Sequence, residues 1–198
     1  MRRITTLVVC LLAVCLCAGS ALAASTTYPD TMKVDYFLDY GGCVVGSADP
    51  YATLELTNTG YSGGNICADI FVYDPQEEQT ECCSCLLTPN DLRTINIETN
   101  LNSNPLTGTS PSSGSIRIVS AQTTGGACPL PYTGITPVSY TLRAWATHIQ
   151  TSYDDVLTET ASQDATLSSA ELQALQNGCF AINLDGSGHG QCSCGTGD

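Results

Sequence analysis

Two tight cysteine clusters, Cys82-Cys83-Ser84-Cys85 and Cys192-Ser193-Cys194, constrain this chain more than any other feature. Neighbouring cysteines do not readily bond each other, because a trans peptide sets their Cα atoms ~3.8 Å apart, below the usual ~4.4–6.8 Å disulfide window. Cys82 and Cys83 therefore need separate partners. If both segments are extended, Cys83 and Cys85 point one way and Cys82 the other, while Cys192 and Cys194 share a side. Parity then predicts that Cys83 and Cys85 staple the C-terminal segment through Cys192 and Cys194, and that Cys82 reaches Cys179. The segment from Asp185 to Asp198 is too rich in glycine to hold itself by burial, so bridges worth ~2–4 kcal/mol each would be its main anchor.

Whether these thiols oxidise depends on compartment. Met1, Arg2 and Arg3 form a positive start, Leu7 to Ala18 an uninterrupted apolar run, and Ala21-Leu22-Ala23 a small-x-small pattern. Together they predict a signal peptide over residues 1–23, cleaved after Ala23. The run is shorter than the ~20 residues of a membrane span. Val9, Val14 and Leu16 before Cys10, Cys15 and Cys17 are not the small residues of a lipidation site. The expectation is a secreted, cell-surface or periplasmic protein whose residues 24–198 form a single domain, with no membrane span after cleavage. Nine cysteines remain after cleavage and are disulfide candidates: Cys43, Cys67, Cys82, Cys83, Cys85, Cys128, Cys179, Cys192 and Cys194. Nine is odd, so one is left free or bound elsewhere.

The same clusters allow a rival reading. Four sulfurs from Cys83, Cys85, Cys192 and Cys194, with Cys82 or His189 as a substitute ligand, suit a tetrahedral zinc or copper site. Familiar zinc modules place two residues between paired cysteines, not one, so bridges are the leading reading and no cofactor is expected. His189 lies in Gly186-Ser187-Gly188-His189-Gly190, which matches neither a nucleophile elbow nor a phosphate loop. His148 falls in an alternating segment and reads as a half-buried strand residue. No serine is flanked as a nucleophile would be, so no catalytic residue is assigned.

Charge removes other classes. The chain carries 19 acidic against 6 basic residues, a net charge of −13, and Arg2 and Arg3 leave with the signal segment. Nucleic acid and anionic lipid surfaces would repel what remains, so the expected partner is an unidentified protein or cell-surface component. Glu77, Glu78 and Glu81, and Asp154-Asp155, are the densest acids, but no spaced loop of oxygen ligands surrounds them. Trp145 with Tyr36, Tyr40, Tyr51, Tyr61 and Tyr73 reads as core and rim and not as a sugar platform.

Alternation with period two recurs: Met32, Val34, Tyr36, Leu38 and Tyr40; then Ala52, Leu54 and Leu56; then Ile66, Ala68, Ile70 and Val72. Further runs cover Leu92 to Leu101, Ser115 to Ala121 and Val138 to Ile149. Gly, Asn and Pro turn signals separate them. Asn102 to Gly114 and Thr123 to Pro137 read as long loops, the second pinned by Cys128. One helix is predicted after Ser168 or Ser169, with Leu172, Leu175 and Cys179 on one face, a stop at Asn177-Gly178 and a last strand from Phe180 to Leu184. The whole predicts an all-β, immunoglobulin-like sandwich with one short C-terminal helix and a disulfide-stapled Gly-rich tail.

Four segments carry a resemblance: Gly64-Asn65-Ile66-Cys67-Ala68-Asp69, Glu81-Cys82-Cys83-Ser84-Cys85, Leu142 to His148, and Gly186 to Cys194. They are similar to those of a group of exported bacterial proteins with CCxC and GSGxGxCxC motifs. The resemblance spans most of residues 24–198 and implies a shared exported domain, with no activity to carry over. The leading functional expectation is a structural or interaction module without enzymatic activity. The alternative is a thiolate metal or redox protein.

Overall fold

A computed structural model describes residues 26–38, 52–102, 108, 110–149, 157–185 and 191–195. The expected signal peptide, Cys43 and His189 lie outside the described residues.

Among the described residues nine strands precede one α-helix: β1 (Thr27–Leu38), β2 (Thr53–Asn58), β3 (Ile66–Tyr73), β4 (Gln79–Leu87), β5 (Leu92–Asn96), β6 (Ser113–Gln122), β7 (Leu142–Ile149), β8 (Leu157–Ala161), β9 (Gln163–Ser168) and α1 (Ser169–Asp185). They make two antiparallel sheets, ordered β4-β3-β6-β1-β9 and β5-β2-β7-β8. The chain is thus mostly β, as the alternation predicts. Leu54, Leu56, Ile95, Ala144 and Ala146 from the smaller sheet and Ile66, Ala68, Ile70, Val72, Ile116 and Ile118 from the larger share one core between the sheets.

Burial on both faces distinguishes β3. Its Ile66, Ala68, Ile70 and Val72 look into the inter-sheet core, whereas Cys67 and Phe71 join a second cluster with Met32, Val119, Leu172, Leu175 and Cys179 on the outer face. That second layer consists of α1 and the loop around Cys128, which explains why this strand is nearly continuously apolar while β2 alternates cleanly.

Several expectations are corrected. The helix does not stop at Asn177-Gly178: α1 continues to Asp185 and replaces the strand expected over Phe180 to Leu184. Ile182 extends the buried stripe of Leu172, Leu175 and Cys179 by the next helical step, so burial outweighs the weak propensity of Gly178. The glycine has a packing role, since a Cβ there would run into the side-chain amide of Gln79 on β4. The N-terminal signal is accurate: Ser168 Oγ accepts from Glu171 N at 3.1 Å. Leu92 to Leu101 is not one strand, because Asn96 caps a π-helical turn over Ile97–Leu101 by accepting from Thr99 N, and this turn buries Ile97 and Leu101 together. Strands β8 and β9 were not anticipated: β8 is largely exposed and lacks apolar alternation, and β9 alternates only through Ala165 and Leu167. Strand β1 begins five residues before Met32 and shifts register between Tyr28 and Met32, where Asp30 has φ of 47°. Ser113 and Gly114, expected in a loop, start β6. Among the described residues, no helix is long and apolar enough to cross a membrane.

Candidate functional site

Strand β4 is where the fold gathers its sulfur. As the edge strand of the larger sheet it turns Cys83 and Cys85 into the inter-sheet core and Cys82 to the outer face, the consequence of period-two geometry. Cys83 is bridged to Cys192 and Cys85 to Cys194, with Cα atoms 5.1 and 5.5 Å apart; Cys82 is bridged to Cys179 of α1. Side-chain parity predicts Cys82–Cys179 and the grouping of Cys83 and Cys85 with Cys192 and Cys194, and the structure adds which meets which. Cys67 on β3 holds Cys128, which pins the loop between β6 and β7. Every described cysteine is therefore in a bridge.

The segment 191–195 closes one side of the sandwich. Gln191 makes a parallel bridge with Cys82, and Cys192 N donates to Cys82 O at 3.3 Å. Ser193 N donates to Asn100 O in the π-helical turn, Asn100 Nδ2 donates to Ser193 Oγ, and Arg93 Nη1 on β5 donates to Cys194 O at 3.4 Å. The segment thus spans the gap between β4 and β5, the edge strands of the two sheets on this side. Asn183 joins the end of α1 to the same assembly, donating to Cys179 O and accepting from Gln191 Nε2.

A cavity of about 160 Å³ opens beside this hub, lined by Cys82, Ser84, Cys128, Tyr132, Asn183 and Cys192 among others. Each of the four bridges contributes at least one wall residue. Next to it on β3, Asp69 pairs in register with Ser84 and is only 1 % exposed. Burial pushes its carboxyl up to about 7, against a smaller lowering by the adjacent Ser84. Asp69 Oδ1 has no hydrogen-bond partner among the described residues.

The sulfurs of Cys83, Cys85 and Cys194 lie within 4.8 Å of one another. While bridged they are not thiolates and cannot act as strong metal ligands; reduced, they would supply three donors of a tetrahedral set. Cys82, proposed as a substitute ligand, points to the other face of β4 toward Cys179 and is not brought into that group.

The opposite side of the sandwich is built from charge. Lys33 on β1, 1 % exposed, donates to Asp30 and to Asp164 Oδ1 at 2.6 Å, and Arg143 on β7 reaches Asp30 Oδ2 at 3.3 Å. Burial would raise the Asp30 carboxyl, but Lys33 and Arg143 together hold it below its ordinary value. His148 is fully buried, not half-buried as its sequence pattern suggests. Its ring stacks on Tyr36 at 4.0 Å, and burial lowers its pKa against the opposing pull of Asp35. Ser162 Oγ donates to Asp35 Oδ2, while His148 Nε2 faces both Thr160 Oγ1 at 2.8 Å and Asp35 Oδ1 at 3.9 Å. One ring nitrogen serves hydroxyl and carboxylate alike, and Nδ1 has no hydrogen-bond partner among the described residues, so these residues do not make the relay of a hydrolytic triad.

Sequence reasoning passed over Asp69, Lys33 and Asp30. A lysine inside an alternating apolar strand, between Met32 and Val34, was the available signal for a buried ion pair. Comparison with known proteins gives no match to any family model, curated protein or solved structure.

Proposed function

We propose that this chain is a non-enzymatic structural or interaction module of the cell exterior, an immunoglobulin-like sandwich exported by its N-terminal signal and held rigid by sulfur. One observation carries the reading: every described cysteine is bridged, three of the four bridges start from one edge strand, and two of those seal a side of the sandwich. Four bridges in a chain of this size suit an oxidising compartment. An edge covered by a covalently fixed segment resists pairing with stray strands, a property useful to a protein working outside the reach of chaperones. Two antiparallel sheets over a common core support the immunoglobulin-like layout, although Trp145 lies half-buried on the outer face of β7 instead of in that core.

Intact mass of protein harvested without reductant tests this. An oxidised chain with four bridges weighs eight hydrogens less than its reduced form. A hydrolase screen adds a second check: turnover abolished in a His189→Ala variant would count against the non-enzymatic reading.

The proximity of Cys83, Cys85 and Cys194 favours a second reading, a thiolate site for zinc or copper in the reduced chain, with Cys192 as fourth ligand. Elemental analysis alongside the mass measurement separates the two. Stoichiometric metal with several free thiols would replace the bridged module by the metal protein.

A further inference from the structure

One surface feature is absorbed by neither the sulfur hub nor the sequence motifs. Tyr61, in the turn after β2, is 73 % exposed, and Tyr140, just before β7, is 46 % exposed. Their rings meet edge to face with centroids 6.1 Å apart. Together with Thr59, Gly60 and Arg143 they line an open cleft of about 560 Å³.

The cleft is built from both chain segments that flank it. Tyr140 has φ of 65°, a conformation disfavoured for a bulky aromatic residue, and it is held there by its neighbours. Its N–H donates to Asp30 O at 3.1 Å, Thr59 Oγ1 donates to its carbonyl at 3.3 Å, and Thr59 N donates to Thr141 O at 2.8 Å. Asp30 is itself at positive φ, and its carboxylate fixes Arg143 from behind. Buried Lys33 anchors that carboxylate in turn. The strained backbone therefore presents an aromatic ring to water on a pre-set ionic base, where relaxation would have been expected to hide it.

We propose that this cleft binds a neutral carbohydrate, one pyranose ring stacking on Tyr61 or Tyr140 while its hydroxyls bond to Arg143 and the tyrosine phenols. The inference rests on the interaction-module reading above and names the class of its ligand. Charge decides against anionic ligands: the chain carries −13 overall, and the guanidinium in the cleft is already compensated by Asp30. Donor and acceptor chemistry decides against a proline-rich peptide. Phenolic hydroxyls both donate and accept, as sugar hydroxyls do, whereas polyproline offers only acceptors and prefers slots between aromatic rings, not rings set 68° to one another.

The test is titration of the purified, oxidised full-length domain with neutral hexasaccharides of glucose, mannose and N-acetylglucosamine, a uronic-acid hexasaccharide and a decaproline peptide, followed by NMR or calorimetry. Expected is millimolar or tighter binding of at least one neutral sugar, weakened about tenfold or more by Tyr61→Ala. Tyr140→Gly is the decisive variant, because glycine takes φ of 65° without strain: its melting temperature should hold or rise while binding is lost. Absence of binding to every neutral sugar at 10 mM overturns the proposal, as does binding of decaproline alone, of the uronic-acid sugar alone, or of a neutral sugar unaffected by both variants. New reducing ends in the bound oligosaccharide would overturn the non-enzymatic reading while leaving the ligand class in place.

Discussion

The two sides of this sandwich are closed by different chemistry. On one, β4, β5 and residues 191–195 are joined through Cys83–Cys192 and Cys85–Cys194. On the other, β1 and β9 meet β7 through Lys33, Asp30, Asp164 and Arg143. Covalent closure acts chiefly by restricting the unfolded chain, is indifferent to pH and salt, and yields to reductant. Ionic closure acts in the folded state and yields to acid. The strained residues Asp30 and Tyr140 both sit on the ionic side. Two further residues at positive φ, Glu77 and Asn90, lie in the turns before and after β4, so both kinds of closure tolerate local backbone strain.

The largest effect should come from cutting both tail bridges. Either bridge alone closes almost the same loop as the other, since Cys83 and Cys85 lie two residues apart and so do Cys192 and Cys194. Replacing one pair, Cys85→Ala with Cys194→Ala, should cost about 1 kcal/mol, whereas replacing both pairs should cost about 3–5 kcal/mol. Cys82–Cys179 still fixes α1 in that variant, so the remaining loss reports the short stretch beyond Cys179. Guanidinium melts of the three proteins check this; a double-pair cost only twice the single-pair cost would mean that each bridge relieves its own constraint.

Asp30→Asn attacks the other side next. Asparagine tolerates the positive φ of this position, so the variant removes charge with little change of backbone. Buried Lys33 is left with only the exposed Asp164, at a cost of about 2–3 kcal/mol. The pH dependence has a definite sign. The Asp30 carboxyl is held below its unfolded value, so its contribution is present above the ordinary carboxylate range and is lost as pH falls through its folded-state pKa. The wild-type protein should lose stability in acid and the variant should lose less; parallel curves would exclude Asp30 as the origin.

Asp69 sharpens the contrast, because it places one titrating group on the sulfur side with the opposite sign. Its folded-state pKa of about 7 lies above the unfolded value near 3.9, so the buried carboxyl is tolerated without penalty in acid. The penalty grows as pH rises from about 4 to about 7 and is complete above that. Asp69→Asn should therefore stabilise the fold by about 2 kcal/mol at pH 8 and change it little, or destabilise it slightly, at pH 4. Thermal melts at the two pH values give the comparison. A uniform shift at both would remove ionisation from the explanation.

How much of this could be read in advance follows the same division. The bridges were legible as groups, because a period-two strand converts the order Cys-Cys-Ser-Cys directly into faces; which of Cys192 and Cys194 meets Cys83 was not, since both pairings satisfy the same parity. The clean alternation of Leu54 and Leu56 was legible for the same reason. Gly178 misled because its local preference says stop, while Cys179, bridged to Cys82, and Ile182 keep the helix docked to its second turn beyond. Strand β8 carries no apolar period to detect, and β9 offers a single step of it, Ala165 to Leu167, too short to stand out. Asp69 is one acid among 19 until the outer layer covers it, and Tyr61 was read as rim because nothing local announces the ring of Tyr140 beside it.

The smallest effect tests whether charge itself or its burial makes the ionic side strong. Arg117 on β6 pairs with Glu171 on α1 at 3.2 Å and lies 5.1 Å over the ring of Tyr73, so it has the same kind of partner as Lys33, yet both charged groups remain about a third exposed. Water screens such a pair, and its two side chains lose rotamer freedom on meeting. Arg117→Met keeps the aliphatic stem over Tyr73 and removes only the charge. Its cost should stay within about 0.5 kcal/mol and vanish at 1 M salt, as measured by denaturant melts, while the Asp30→Asn cost should persist there. A large, salt-resistant loss at Arg117 would mean that a partly exposed ion pair holds this fold as firmly as a buried one, and burial would no longer be what makes the charge-closed edge strong.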